Sequence, residues 1–482
     1  MTKKIAIAGA FGFVGRQLIE YFCQKPDFEV YALTRSLMED EDQVKDFTKE
    51  DRENKDRIKI VQCDLFSMLD CEKALEGMDY AFYLVHSMLP SSKLMQANFM
   101  DMDLILSDNF ARAAKKANIQ HIVYLGGIIP QKDTLSPHLE SRLETEETLA
   151  SYGTPVTSLR AAIILGRQGS SFNIVLKLVE RLPAMICPHW CATKSNPVWV
   201  GDVVYAFEEV LGKKEYFNNF YDLAGATCLS YRDILARTAK HLGLKRRFIN
   251  FPFFTPGLSK LWVSTITATP RNLVYPLINS LKHEMTPNPG HQLKIANHPP
   301  ISFEESLDKS LHEDDLRYAR GHKVHRPKFQ FWGQNLKKKD VRSIQRLDRP
   351  KGKSALWVAK EYIKWLPGFF RLIKLIKVRF PQKGITQFVV PLLNIPILEL
   401  TFSEQRSSQD RQLFYITGGF LASKSPGRAR LEFRETTCGK YFIVAIHEFV
   451  PSLPWFIYIY TQAPFHLFVM RRFQSYMNKL SL

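Results

Sequence analysis

The sequence Gly9-Ala10-Phe11-Gly12-Phe13-Val14-Gly15 follows a short apolar stretch, residues 4–8, and leads into an apolar-periodic segment at 13–23. It is a G-x-x-G-x-x-G turn between a predicted buried strand and a predicted helix. The first glycine permits a tight turn, the second lets the backbone approach a ligand, and the third allows close packing of helix on strand. Free N–H groups at a helix start bind anions. The stretch therefore predicts the phosphate-binding turn of a dinucleotide fold.

Further strand-like segments follow this turn, and helical patterns separate them. The strands are predicted at 29–34, 58–63, 79–85, 121–125 and 155–165, and the clearest helix at 98–117. Alternation of strands and helices is typical of a parallel sheet with helices on both faces. We therefore predict a Rossmann-type, doubly wound α/β domain over residues 1–310.

The ends of the second and third predicted strands bear on which dinucleotide binds. The second strand ends in Thr34-Arg35 with no acidic residue to bind a ribose 2′-hydroxyl, whereas Arg35 could pair with a 2′-phosphate. The residues favour NADP, with NAD as the alternative. The third strand ends in Asp64-Leu65, where we expect an adenine contact unless Asp64 caps the next helix. The expected cofactor contacts are Gly9, Phe11, Gly12, Phe13, Val14, Gly15, Arg35, Asp64, Leu65, Leu84 and Val85.

Charge is divided unevenly along the chain. Residues 320–482 contain 29 Lys and Arg against nine Asp and Glu, a net charge of +20, whereas residues 1–319 contain 37 against 39. We expect a basic polar linker at 311–353 and a second, α+β domain at 354–482, with strand patterns at 428–433 and 441–446. A basic domain suits an anionic partner such as a phospholipid surface; the alternative is a surface that only aids solubility.

The location and the remaining partners follow from composition. The seven cysteines form no disulfide framework, no signal-peptide pattern is present, and prolines interrupt the apolar stretches, so we expect no membrane span and a cytoplasmic protein, free or peripheral at the inner face of the membrane. Phe369, Leu372, Ile373, Ile376 and Phe380 recur at helical spacing between basic residues. They predict an amphipathic helix, packed on its own sheet or held at anionic lipid. No nucleic acid partner is expected, because no binding module is recognisable.

Two shorter motifs offer polar side chains. Cys187-Pro188-His189-Trp190-Cys191 brings together two thiols and an imidazole, but no fourth ligand follows at a recognisable spacing. We therefore expect apolar packing there and no metal site. In Gly169-Ser170-Ser171 the hydroxyls are expected to cap the helix that follows, with contact to a substrate as the alternative.

The chain resembles the atypical short-chain dehydrogenase/reductase proteins, and more closely a bacterial NmrA-like group described as NAD(P)-binding oxidoreductases or sugar-nucleotide epimerases. The resemblance implies a second domain of unknown function, with a sheet wrapped around a helix in the helix-grip arrangement that encloses apolar ligands. The residues that carry it are Tyr83-Leu84-Val85-His86-Ser87-Met88, Asp103, Asn109-Phe110, Tyr124-Leu125-Gly126-Gly127, Leu159-Arg160-Ala161, Gly166, Leu182-Pro183-Ala184-Met185, Leu229-Ser230-Tyr231, Pro426-Gly427-Arg428-Ala429-Arg430-Leu431 and Ala463-Pro464-Phe465-His466.

The chain lacks the catalytic motif that ordinary members of this superfamily contain. Ordinary members use Tyr-x-x-x-Lys and a Ser, but this chain has His138-Leu139-Glu140-Ser141-Arg142 at the motif and Gly126 or Gly127 at the Ser position. His138 and Arg142 share one helical face. We predict that His138 is the acid/base, and that Arg142 lowers its pKa and binds the nicotinamide ribose. His86, at the end of the fourth strand, is a second candidate proton donor or a contact without chemistry.

These residues predict an NAD(P)-dependent oxidoreductase acting on an apolar or lipid-like small molecule, a carbonyl compound or a quinone. One alternative is a non-catalytic NAD(P)-binding sensor or an assembly factor for a membrane complex. Another is a nucleotide-sugar epimerase or dehydratase, against which the missing Tyr argues.

Overall fold

The computed structural model describes residues 2–35, 57–87, 94–131, 134–251, 256–296, 298–319, 341–369, 376–422 and 428–481. The chain divides into two compact units. The first contains Met1–Met88 and Asp103–Gln330, and the second contains Leu89–Met102 and Phe331–Leu482. Met88, Leu372, Ile373, Pro426 and Gly427, which carried parts of the predictions, lie outside the described residues.

The strands and helices are numbered in chain order. The strands are β1 (Lys3–Ala8), β2 (Phe28–Thr34), β3 (Ile58–Gln62), β4 (Tyr80–Tyr83), β5 (Leu94–Gln96), β6 (His121–Gly127), β7 (Val156–Ala161), β8 (Ile164–Leu165), β9 (Ala184–Cys187), β10 (Lys194–Ser195), β11 (Val198–Trp199), β12 (Asn219–Leu223), β13 (Leu229–Ser230), β14 (Arg247–Asn250), β15 (Val341–Asp348), β16 (Lys377–Arg379), β17 (Ile385–Val390), β18 (Ile395–Phe402), β19 (Arg411–Gly418), β20 (Arg430–Glu435) and β21 (Tyr441–Phe449). The helices are α1 (Phe13–Cys23), α2 (Met68–Leu75), α3 (Phe99–Lys116), α4 (Pro137–Ala150), α5 (Ser170–Arg181), α6 (Val200–Val210), α7 (Tyr231–His241), α8 (Pro256–Thr267), α9 (Arg271–Ser280), α10 (Phe303–Ser310), α11 (Glu313–Ala319), α12 (Ala355–Phe369), α13 (Trp455–Tyr460) and α14 (Gln462–Ser481).

The first unit is built on a seven-stranded parallel sheet. Its strand order is β12-β7-β6-β4-β1-β2-β3, and every neighbouring pair runs parallel. Apolar residues of β1 and α1, including Ile5, Ile7 and Leu18, are fully buried in one core with the inner face of α6. The predicted doubly wound α/β fold is confirmed.

Serine side chains define where several helices of this unit begin. Ser67, Ser136, Ser230 and Ser302 each accept a hydrogen bond from the backbone N–H three residues later, which satisfies one of the unpaired N–H groups at a helix start. The hydroxyl cap predicted for α5 is wrong. Gly169 occupies the cap position of that helix without a side-chain hydrogen bond.

The second unit is an α+β structure, as predicted. Its eight-stranded mixed sheet has the order β16-β17-β18-β19-β20-β21-β15-β5; β5 runs parallel to β15, and the other neighbours are antiparallel. The helices α12 and α14 share one apolar core with the sheet, and Tyr362 of α12 contacts Phe433 of β20 and Phe473 of α14.

Two expectations for the basic half differ from the structure. Part of the expected linker at 311–353 is ordered secondary structure, because β15 lies between β21 and β5 inside the second sheet. The amphipathic helix expected across 369–380 does not extend to its end. The helix α12 ends at Phe369 and Lys377–Arg379 is a strand, because this segment pairs with the edge of β17.

Among the described residues, none of the helices combines the length and the apolar character needed to cross a bilayer.

Candidate functional site

The glycine turn lies where the chain order of the first sheet reverses. The strand β1 has β2 on one side and β4 on the other, so successive connections leave in opposite directions and open a crevice at the carboxyl ends of the strands. Ligands of doubly wound sheets bind in such a crevice. The turn at residues 9–15, the end of β2 and the segment after β4 all meet there.

The three glycines of the turn differ in what surrounds them. Gly9 has a φ of +84°, a conformation that other residues rarely adopt, and a Cβ at Gly15 would lie 2.3 Å from the carbonyl oxygen of Gly9. By contrast, a Cβ at Gly12 would have one atom of the described residues within 4 Å, that same oxygen, at a close 3.1 Å. Packing therefore constrains Gly12 less than Gly9 and Gly15, and the described residues leave room beside it for a ligand.

The helix α1 begins at this turn with its N–H groups directed into the crevice. Gly12 is its N-cap and provides no side-chain hydrogen bond, and its first turn contains no acidic residue. The N-terminus of a helix carries partial positive charge from its aligned peptide dipoles. The side chain of Val14 is buried in the core, so only its backbone can contribute. The geometry suits a bound diphosphate.

Two further glycines make room for a side chain of the turn. A Cβ at Gly166 would lie 2.3 Å from Cζ of Phe13, and one at Gly169 would lie 3.0 Å from Cε1 of the same ring. The Phe13 ring therefore packs against the segment that precedes α5. This explains Gly166, which the family resemblance had marked without a role.

The expected contacts on the adenosine side lie at the ends of β2 and β3. Arg35 directly follows β2 and is exposed. Asp64 accepts the N–H of Phe66 in a local turn, at 3.1 Å, while the helix cap is Ser67, so the alternative of a capping Asp64 is wrong. The carbonyl oxygen of Leu65 accepts the side-chain amide of Asn109 at 2.9 Å, which ties this loop to α3.

The segment after β4 is joined to the glycine turn. The N–H of Leu84 donates to the carbonyl oxygen of Ala8 at 3.0 Å, and the backbone of Leu84 lies 3.2 Å from the position that a Cβ at Gly9 would occupy. Leu84 and Val85 are half-buried, whereas His86 is exposed. These three residues thus follow one another along the floor of the crevice.

Arg142 is not a free cation beside His138. It is buried, and its Nη2 donates to Oδ2 of the buried Asp103 at 2.8 Å. The same oxygen accepts the hydroxyl of Ser141 at 2.9 Å, and Oδ1 accepts the backbone N–H of Ser87 at 2.6 Å. Asp103 therefore holds both the residue after His86 and two residues near His138. Burial raises the pKa of Asp103, and Arg142 opposes that shift.

The structure brings the two candidate histidines together. The rings of His86 and His138 are 6.5 Å apart between centroids and nearly perpendicular. Burial, reinforced by the charge of Arg142, lowers the pKa of His138 to about 3, so its imidazole is neutral at physiological pH. Its Nδ1 is buried and makes no hydrogen bond to the described residues. Arg142 thus lowers the histidine pKa as predicted, but burial is the larger cause.

The glycines at the expected Ser position end β6 beside this cluster. A Cβ at Gly127 would lie 3.7 Å from Cγ of Arg142, and one at Gly126 would lie 2.9 Å from the Tyr124 ring. The Tyr124 hydroxyl donates to the carbonyl oxygen of Arg142 at 3.2 Å. No hydroxyl at 126 or 127 can orient a substrate, and the residues that fill this region instead fix α4.

The sequence reasoning missed the part that Asp103 plays. A signal was present, because Asp103 is spaced with Leu106 and Phe110 along the buried face of α3, where an acidic residue requires a partner. The partner could not be named from spacing, since it lies 39 positions away along the chain.

The cysteines of the Cys187-to-Cys191 motif are buried and form no disulfide. Cys187 ends β9, and Cys191 lies in a short 3₁₀ helix at His189–Ala192. A hydrogen bond from Cys191 lowers the pKa of Cys187 to about 7. Both cysteines lie beside residues of the second core of this unit, because Met185 and Trp190 belong to it.

Sheet order, glycine turn and uncapped helix together define the NAD(P)-binding Rossmann class of fold, of the kind found in oxidoreductases and epimerases. A model of the NmrA-like family matches residues 1–255, more than half of the chain. The chain therefore belongs to the NmrA-like family.

Two kinds of relative are similar to parts of this chain. The auxiliary protein GraX of Staphylococcus aureus is 27% identical over 158 residues, which are 32% of this chain and 43% of that protein. The crystal structure of Citrobacter sp. triphenylmethane reductase complexed with NADP(H) has a TM-score of 0.50 and 17% identity, over 64% of this chain and all of that one. An NADPH-dependent quinone oxidoreductase of Escherichia coli has a TM-score of 0.49 and 19% identity, over 63% and 98%.

Proposed function

We propose that the first unit binds NADP(H) at the glycine turn and reduces an apolar carbonyl compound or quinone. The observation that carries the proposal is the space beside Gly12, where a Cβ would have one atom of the described residues within 4 Å, the backbone oxygen of Gly9 at 3.1 Å. A glycine in such a position lets a ligand approach the backbone closely. The uncapped start of α1 supplies the donors that a diphosphate needs.

The proposed cofactor contacts follow the crevice. The backbone of residues 9–15 holds the diphosphate, Asp64 and Leu65 lie on the adenine side, and Leu84 and Val85 line the path toward the nicotinamide. Arg35 pairs with the 2′-phosphate, since it is exposed at the end of β2 next to β1. Triphenylmethane reductase, whose fold is similar, was crystallised with NADP(H), which supports this choice of cofactor.

The proposed roles of His138 and Arg142 take account of their surroundings. A bound nicotinamide dinucleotide would supply a hydride. Because the pKa of His138 is about 3, this residue acts as a neutral imidazole that hydrogen-bonds the substrate oxygen and passes a proton to it from water. The Nη2 of Arg142 is occupied by Asp103, but its Nε is buried without a partner among the described residues. Nε is the remaining candidate donor to the ribose, although it is inaccessible to solvent in this structure.

Titration of the protein with NADPH and NADH, followed by nucleotide fluorescence, tests the cofactor assignment. We expect tighter binding of NADPH than of NADH. Arg35→Ala should weaken NADPH binding by about tenfold, because it removes one exposed charge-assisted hydrogen bond, and should leave NADH binding unchanged. Arg237→Ala, which removes an exposed arginine paired with Glu304, is the matched control. Equal binding of the two nucleotides by the wild type would remove the NADP assignment.

Oxidation of NADPH across a panel of quinones and apolar carbonyl compounds tests the reaction. We expect His138→Ala to lower kcat by about a hundredfold, as loss of a proton-transfer group does, and to leave NADPH affinity unchanged. His241→Ala, on the surface helix α7, should leave both unchanged. Full activity of His138→Ala would eliminate His138 from the chemistry.

A second candidate function is non-catalytic NAD(P) binding, as a sensor or an assembly factor. One observation favours it: the cation that would serve catalysis is held in a buried ion pair with Asp103. The relative GraX is itself named an auxiliary protein. A non-catalytic protein should bind NADPH tightly without oxidising it in the presence of any compound of the panel, whereas a reductase should oxidise NADPH with at least one of them.

A further inference from the structure

One end of the second unit's sheet exposes a group of large apolar side chains. The hairpin between β17 and β18 carries Leu392 and Leu393 at its tip, which are 93% and 63% exposed. Hairpin tips ordinarily use Gly, Asn, Asp, Pro and Ser, whose side chains suit water and tight turns. Asn394, with a φ of +49°, completes this turn, so the two leucines are not required by its geometry.

Hydrogen bonds bring other apolar side chains to the same end. The N–H of Phe420, after β19, donates to the carbonyl oxygen of Pro396 at 2.8 Å. The N–H of Ser452, after β21, donates to Leu421 at 3.2 Å, and a β-bridge joins Ala422 and Pro451. The helix α13 begins three residues beyond Ser452. We call Leu392, Leu393, Ile395, Phe420 and Phe456 the apolar end; each is at least 42% exposed.

The apolar end is held by its neighbours. The Arg379 side chain donates to Asn394 at 3.2 Å and to Gln387 at 2.8 Å. The Ser452 hydroxyl donates to the carbonyl oxygen of Phe420. A contiguous exposed apolar group on an ordered scaffold marks an interaction surface, whereas isolated exposed apolar residues are ordinary.

Cations predominate in the segments that form the apolar end, and the carboxylate of Glu399 on β18 accepts hydrogen bonds from Gln387 and Thr417. Residues 377–398 and 450–482 contain no Asp or Glu. Lys377 of β16 pairs with Val389 just before the hairpin tip, and the exposed Arg428 precedes β20 at the same end of the sheet. Trp455 and Tyr460 of α13 add the aromatic rings that are enriched at membrane interfaces.

We propose that the apolar end inserts into the interfacial layer of an anionic phospholipid bilayer and holds the protein at a membrane surface. The protruding leucines and phenylalanines would enter the boundary between headgroups and acyl chains, and the surrounding cations would contact anionic headgroups. An apolar tip on segments that carry cations and no Asp or Glu, residues 377–398 and 450–482, is complementary to that layer in both polarity and charge. The proposal is independent of the reaction assigned to the first unit.

Sedimentation of the full chain with vesicles tests the proposal. We expect binding to phosphatidylcholine vesicles that contain phosphatidylglycerol, weaker binding to phosphatidylcholine alone, and a decrease with added salt. The double substitution Leu392→Asp/Leu393→Asp should reduce partitioning into the anionic vesicles by about tenfold or more, because two inserting side chains become charged and repelled. Its thermal unfolding should match the wild type, since both side chains are exposed.

A matched double variant in the first unit serves as the control. Ile249 and Phe251 are exposed by 53% and 48%, and Ile249→Asp/Phe251→Asp should leave vesicle binding unchanged. Undiminished binding of the Leu392→Asp/Leu393→Asp variant, or equal binding of the wild type to both kinds of vesicle, would overturn the proposal. A concentration-dependent dimer that the tip substitutions abolish, with no vesicle binding, would also overturn it and assign the surface to a second copy of the chain.

Discussion

The glycine turn and the histidine cluster occupy the same crevice, but the turn offers a ligand backbone groups and the cluster offers side chains. At the turn, the groups offered to a ligand are backbone N–H donors, and the side chains matter chiefly by being absent at Gly9, Gly12 and Gly15. At the histidines, the ligand would meet side chains whose neighbours Ser87 and Arg142 are held by the buried Asp103. A backbone site is therefore determined locally, whereas a side-chain site is determined by residues distant in sequence.

The largest effect is expected from removing the charge of Asp103. In Asp103→Asn, the buried guanidinium of Arg142 loses its counter-charge, and we expect unfolding by urea to show a loss of about 3–5 kcal/mol. Replacing the exposed Glu305, which pairs with Lys309 across one helical turn, should cost less than about 0.5 kcal/mol.

The double variant Asp103→Asn/Arg142→Met separates charge from packing. Removing both charges should recover most of the loss, because no unpaired buried ion remains. If the double variant were as unstable as Asp103→Asn alone, the ion pair would not be what connects the two histidine segments.

A smaller loss is expected at the turn itself. In Gly15→Ala, the added methyl group would lie 2.3 Å from the Gly9 oxygen and 2.5 Å from that of Ala10, so α1 must shift, at a cost of about 3 kcal/mol. Chemical denaturation measures this loss. Gly368→Ala is the control, because a Cβ at Gly368 meets none of the described residues within 4 Å, and it should be neutral or stabilising by up to about 1 kcal/mol. Equal stability of the two variants would contradict the close packing.

The smallest effect is expected for the titration of His138. Its pKa lies near 3 because burial, and then Arg142, disfavour the imidazolium. The ring should therefore stay neutral as the pH falls from 7 and take up a proton only near the acid limit of the fold. In Arg142→Met the pKa should rise but remain below the ordinary histidine value, since burial persists. Histidine NMR resonances followed against pH measure both; titration of wild-type His138 near pH 6.5 would contradict its burial.

Some features of the site could be predicted from the sequence, and others could not. Gly9, Gly12 and Gly15 predicted the turn correctly, because their roles depend on neighbours within a few residues. The spacing of His138 and Arg142 predicted a shared helical face and the direction of the histidine pKa. It could not reveal Asp103 as the partner of Arg142, since the contact arises only when α3 and α4 pack together.

The second unit was less accessible to sequence reasoning for a related reason. The segment at 341–348 is polar and adjoins lysines, and was expected to be a linker, yet it forms β15 because β21 and β5 supply its hydrogen bonds. Its partners lie about a hundred and about 250 positions away along the chain. Local polarity is a weak guide where strand pairing is so remote.

The most direct test of the account is the affinity of Gly12→Ser for NADPH, measured by fluorescence titration beside thermal unfolding. Ser is a good N-cap residue, which offsets the contact of its Cβ with the Gly9 oxygen at 3.1 Å, so the variant should stay folded with only a small change in unfolding temperature. Its side chain would fill the space beside Gly12, and NADPH affinity should fall at least about tenfold. Unchanged affinity, or no NADPH binding by the wild type, would contradict a dinucleotide site at this turn.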